Sequence, residues 1–203
     1  GTPYQLTDVY GLQGMGSSGM QGLRYGLANS IDARGTAGWN AGLGWKPVGD
    51  STTNFTGTLD GGGFTVSGLT IARPATDDVA LIGRLGSTGG LRNLNLSAVL
   101  INGRSNVAAA VGAGVNGSAI ERVNVAGSVS GSAAVGGVVG RTDGSVSLGV
   151  NTASVTGGGN LVGVIDGLID INGSVSTSYN TAAVTGSAAI LLWTVVLVWR
   201  LPL

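Results

Sequence analysis

In the second half of this 203-residue chain, apolar residues return in short alternating runs, and the runs themselves repeat. LRNLNLSAVLIN from Leu91, IERVNVAGSVSG from Ile120, VSLGVNTASVTG from Val146 and VSTSYNTAAVTG from Val175 align without gaps, their anchors 29, 26 and 29 residues apart. Nine positions after each anchor stands Leu100, Val129, Val155 or Val184. Two positions further stand Asn102, Gly131, Gly157 and Gly186, residue types that tolerate a left-handed backbone. A period of this size, with constant apolar columns and drifting polar ones, marks a solenoid. Runs such as AAVGGVVG, SVSLGV and SVSTSY, broken by Gly, Asn, Ser or Asp, predict several short strands per repeat joined by tight turns. Helical repeats would need Leu, Ala, Glu and Lys on 3.6-residue faces. A one-strand horseshoe would need Leu-x-x-Leu-x-Leu, which is absent. The expectation is an all-β chain, a parallel β-helix, right-handed by the general handedness of parallel crossovers. Equivalent strands of successive coils would stack about 4.8 Å apart.

Four regions follow. Residues 1–44 predict an atypical N-terminal cap with a short helix near residues 8–12, since Gly11, Gly14, Gly16, Gly19 and Gly22 oppose a longer one. Residues 45–78 predict the first coils, with strands over 55–59 and 64–71, a turn over 60–63 and a loop over 72–78. Residues 79–187 hold four repeats. Residues 188–203 form an apolar tail, whose run from Ala188 to Trp199 is short of the roughly 20 residues that a helix needs to cross a bilayer. It predicts a terminal strand instead. The opening GTPYQL carries no signal peptide, as expected of a mature product, an excised domain or a fragment.

Composition narrows the chemistry. Charged residues make up 10% of the chain, ten basic and ten acidic, against about 25% in ordinary soluble proteins, so Ser, Thr, Asn and Gly must form most of the surface. No basic patch is present to neutralise phosphates, which argues against nucleic-acid binding. Cysteine and histidine are absent, which removes disulfides, thiol chemistry, the usual general base and the commonest metal ligand. Lys46 is the sole lysine.

The segments DDVALIGRLGSTGGLRNLNL, SNVAAAVGAGVNGSAIERVNV and SAAVGGVVGRTDGSVSLGVNTASVTG resemble successive GLUG-type repeats. These combine a Gly-apolar-apolar-Gly segment, a glycine turn, an apolar-x-Asn segment and a closing Gly. FTGTLDGGGFTVSGLTI resembles the lead-in to such repeats in filamentous-haemagglutinin-like adhesins of two-partner secretion systems. The resemblance spans roughly residues 4–187. It implies a bacterial, extracellular or cell-surface shaft, without catalysis, that supports attachment to an unidentified cell or surface ligand. The chain departs from the pattern at Ala108–Ala113, in the longer fourth repeat, and in the tail.

Few residues are candidates for sites. Asp166, Asp170 and Asn172 share parity, so an extended strand would put them on one face, where they could offer oxygens to calcium or act as paired carboxylates. The simpler reading is solvated turn residues, and the same holds for LDGGGF at residues 59–64. Asn95 with Asn124, and Asn151 with Asn180, occupy equivalent columns and predict amide-to-amide ladders. Thr152 with Thr181, and Thr156 with Thr185, also share columns, but Ser97, Ala126, Ile101 and Ser130 interrupt the array expected of an ice-binding face. Arg84 and Arg141 predict solvated edge charges. The tail residues Ile190, Leu191, Leu192, Trp193, Val195, Val196, Leu197, Val198 and Trp199 are the candidates for assembly. Docked on another copy, they would make a homo-oligomer or open filament, the second functional reading. A carbohydrate-active enzyme is the third, and it has only Asp166 and Asp170 to work with.

Overall fold

The computed structural model describes residues 1–159 and 161–187 and the backbone of 190–191. It is a parallel β-solenoid with three sheets. The largest has fourteen strands, and the other two have four each. One apolar column runs the length of the large sheet. In it Tyr4, Tyr25, Leu59, Leu91, Ile120, Val146 and Val175 pair in succession, every pairing parallel. The four repeat anchors are therefore neighbours in space, and the 29-, 26- and 29-residue spacings are the lengths of single coils. The core is a stack of such columns, fully buried at Ile82, Val111 and Val139 in the second sheet and at Val107, Val135 and Val162 in the third. Burying each such side chain contributes roughly 1.5–3 kcal/mol, and the column shape lets every coil bury its face against the next.

One expectation needs correction at the corners. Asn102, Gly131, Gly157 and Gly186 all lie outside the left-handed region. The constraint on glycine is space: a Cβ on Gly131 would lie 2.8 Å from the Val107 side chain and 3.0 Å from that of Val135, and one on Gly103 2.7 Å from that of Val79. Left-handed bends fall instead on Asn93, Arg122, Leu148 and Thr177, and on Asp78, Asn106, Ala134 and Leu161, one of each set per coil.

The gapless alignment also slips within the first repeat. Strand Gly90–Asn102 has one more residue than its partner between Leu96 and Val99, where Ala98 has φ 50°. Beyond this bulge Ile101, not Leu100, pairs with Val129, and Leu100 is 58% exposed. Such an insertion turns the following residues over while leaving the stack intact.

The first 44 residues are less a separate cap than further rungs. Tyr4–Leu6, Arg24–Leu27 and Ile31–Asp32 all pair in parallel within the large sheet. The helix is Val9–Gly14, capped by the Asp8 carboxylate, which accepts from Gly11 N–H at 2.7 Å, and it buries Val9 and Leu12. The turn at 60–63 forms with Gly62 and Gly63 left-handed, and the expected strand over 64–71 divides at Gly68, φ 74°, into Thr65–Ser67 and Thr70–Ala72. Among the described residues no helix is long and apolar enough to cross a membrane.

Candidate functional site

Outward side chains are what a solenoid offers to its surroundings, and here most of the charged ones are tied to the neighbouring coil. Arg92 meets Asp60 at 2.8 Å, Arg104 meets Asp77 at 2.5 Å and Arg141 meets Asp170 at 2.5 Å. Arg122 donates to Asn93, Asn106 to Asp78 and Asn172 to Asp143, at 2.9, 2.7 and 3.0 Å. The partners are 27 to 32 residues apart, one coil length. Exposed pairs of this kind each contribute little, and their repetition along the axis holds adjacent coils in register. Arg84 and Arg141 were expected as edge charges. They stand instead in one outward column of the second sheet, with Ala113 between them, and pair with Asp78 and Asp170.

The three oxygen-bearing residues of the fourth repeat do not share a face. Asp166 opens strand Asp166–Ile169, sits in register with Val139 and is buried. Its Oδ1 accepts from Leu168 N–H at 3.0 Å, while Oδ2 is buried without a hydrogen-bond partner. Burial, with the charge of Asp170 as a lesser cause, pushes its carboxyl well above the ordinary carboxylate range. Asp170 and Asn172 lie beyond the strand end in a turn closed by Gly173 N–H on Asp170 C=O, so period-2 parity no longer applies. Asp170 is committed to Arg141 and Asn172 to Asp143. Among the described residues no three acidic side chains gather as a metal site would require. In LDGGGF the Asp60 carboxylate serves Gly62 N–H, Arg92 and Asn93.

The asparagines form two short ladders in different settings. Asn124 donates its amide to Asn95 at 2.7 Å on the outside, and Asn95 donates in turn to Gly63 C=O. Asn151 is fully buried, donates to Asn180 at 2.6 Å and exchanges hydrogen bonds with the Ala153 backbone. Asn151→Ala would strand the buried Ala153 N–H, so the expected cost is about 1–3 kcal/mol, and Asn124→Ala should cost under about 1 kcal/mol. Urea denaturation of the two variants checks the contrast.

Asn102, Ser130, Thr156 and Thr185 form one outward column and Thr70, Leu100, Ser128 and Ser154 another. The result is a polar face interrupted by Leu100. Thr152 turns its hydroxyl to Val125 C=O at 2.8 Å and so belongs to the coil junction. At the start of the tail, Ile190 and Leu191 pair in parallel with Val162 and Gly163 of the same chain. The remaining assembly candidates, from Leu192 to Trp199, lie outside the described residues.

No protein-family model matches the chain. It is 37% identical over 143 residues to halomucin of Haloquadratum walsbyi, a match covering 68% of this chain and 2% of that protein. It is 32% identical over 96 residues to a protein of Evansella cellulosilytica named as a Gly-rich membrane protein, covering 47% of this chain and 11% of the other. The chain thus corresponds to a small part of each relative's length. Among solved structures it resembles a Bacteroides ovatus protein named for immunoglobulin A1 protease, with a TM-score of 0.59 and 18% identity over 94% of this chain and 77% of the other. At that identity the likeness concerns the fold alone.

Proposed function

We propose that this chain is a non-enzymatic, extracellular β-helical segment of a surface protein, serving as a shaft that supports attachment to cells, surfaces or matrix. The observation that carries this reading is how the side chains are spent. Apolar residues fill continuous inward columns, while most charged and many amide side chains join one coil to the next. That arrangement serves length and durability, and it leaves the described acids unavailable as a paired acid and base. Similarity to small portions of proteins named halomucin and Gly-rich membrane protein also supports a surface setting, and the GLUG-type pattern supports an adhesin. The protease name of the structural neighbour belongs to that protein.

The second reading, a filament subunit joined through the tail, rests on the apolar run from Ala188 to Trp199. Negative-stain microscopy and sedimentation of the whole chain, beside a chain ending at Ser187, separate the two. Monomers from both are expected for a shaft segment. Filaments that vanish on truncation would make the tail a joint between copies.

A further inference from the structure

Away from the coil junctions, the surface of this stack is made largely of small polar side chains with scattered apolar ones such as Leu100, and near the N-terminus two aromatic rings adjoin on it. Where helix Val9–Gly14 faces the segment over residues 39–46, Tyr10, 72% exposed, meets the half-buried Trp39 with ring centroids 5.2 Å apart and planes at 31°. Trp39 stacks from behind on Trp45 at 6.3 Å. Trp45 is fully buried and donates its indole N–H to Leu81 C=O at 3.0 Å. The helix is fastened to this segment by Gln13, whose amide donates to Lys46 C=O at 2.9 Å and accepts from Lys46 N–H at 3.1 Å. The loop itself passes through two left-handed non-glycine residues, Asn40 and Ala41, with Asn40 tied to Gly44 C=O at 2.7 Å. Gly14 adds no side chain, and a Cβ placed there would meet nothing within 4 Å. Together these elements leave a cleft of about 650 Å³ lined by Tyr10, Gln13, Ser17, Trp39, Asn40 and Lys46.

We infer that this cleft binds an acidic saccharide, a pyranose bearing a carboxylate or sulfate. Tyr10, the exposed outer ring of a stack backed by Trp39 and Trp45, offers a negative π face that attracts the weakly positive C–H face of a sugar ring. The volume falls within the range of small-ligand sites, and a platform fixed by packing and hydrogen bonds is already ordered before binding. Ser17 and Asn40 supply short hydrogen-bonding groups to sugar hydroxyls. Among the described residues the chain's single lysine, Lys46, is the only charged one lining the cleft, so its ammonium favours an anionic sugar over a neutral one. The inference deepens the attachment reading by naming a class of ligand, and it rests on that reading.

The test is direct binding of the whole chain to an array of immobilised acidic and neutral glycans, followed by calorimetric titration of the strongest hit in solution. Acidic glycans should bind, and added salt should weaken them. Tyr10→Ala, at an exposed position, should keep the native far-UV spectrum and lose at least tenfold in affinity. Lys46→Gln should abolish the preference for acidic glycans while retaining neutral ones. Absence of binding to every glycan, or a Tyr10→Ala chain that binds as the parent does, would overturn the inference. Equal retention of acidic and neutral glycans would overturn its charge component. Attachment to cells that survives Tyr10→Ala would leave the shaft reading standing without this site; glycan binding without attachment would do the reverse.

Discussion

Gly112→Ala should destabilise the protein by about 3 kcal/mol or more, the upper part of the range for overpacking, because its surroundings cannot yield. The added Cβ would lie 2.6 Å from the Asp78 carbonyl carbon, 2.6 Å from Gly83 O and 2.8 Å from Asp78 Cα. All three are main-chain atoms, and Asp78 sits at one of the left-handed corners. A flexible side chain could rotate away, but a backbone held in a stacked sheet cannot. Gly112 belongs to strand Val111–Gly114, which is paired on both sides, so the clash separates coils in the middle of the stack. Stability in a solenoid is the sum of coil and nearest-neighbour terms, so loss at a central junction weakens both halves. For a chain of this length the expected fall in Tm is roughly 6–12 °C. Gly35→Ala, where nothing lies within 4 Å of the added Cβ, should change Tm by about 2 °C or less. Scanning calorimetry of both variants checks the pair, and equal Tm values would contradict the packing argument.

The second large effect is electrostatic and concerns the last full coil. In the column Ile82, Val111, Val139 the fourth member is Asp166, a carboxylate where three aliphatic side chains precede it. Its native pKa is raised above the unfolded value, so between those two values the native state binds more protons than the unfolded one. Its contribution is therefore most favourable below the unfolded pKa and is lost as pH rises through the native one. Its own contribution to the unfolding free energy should therefore fall with rising pH across that window, opposite in sign to the contributions of Asp50, Asp60 and Asp77, whose carboxyls lie below the ordinary range. Asp166→Val should remove that falling component and, by removing the unpaired Oδ2, raise stability at pH 7 by about 1–3 kcal/mol. Urea titrations at pH 4 and pH 7 measure both. A parent and a variant with parallel pH profiles would show that Asp166 titrates normally in the native state.

The stacking of coils was legible in the chain because parallel in-register pairing forces the same side-chain type into the same column. Leu91, Ile120, Val146 and Val175 are adjacent in space for the same reason that they align in sequence. The asparagine pairs were legible on that basis too, and the amide bonds of Asn95 with Asn124 and Asn151 with Asn180 are formed.

What was not legible depends on local departures from the period. A single extra residue near Ala98 moved Ile101 into the column that the alignment gives to Leu100. Parity linked Asp166 to Asp170, but the strand ends at Ile169, so the link fails at the turn. Gly131 and Gly157 read in sequence as positions of backbone freedom, whereas a neighbouring valine claims the space of their Cβ. The Tyr10–Trp39 cleft escaped notice because helix and loop come together across a coil that lacks the repeat pattern. Their separation of 29 residues, one coil length, was the available signal.

The most direct test of the attachment reading is competition. Beads coated with the whole chain would be settled on a panel of cells and matrix-coated surfaces, with and without excess soluble chain. A shaft that supports attachment should hold the beads on at least one surface, and soluble chain should release them. Beads that wash from every surface as freely as uncoated ones would contradict the account.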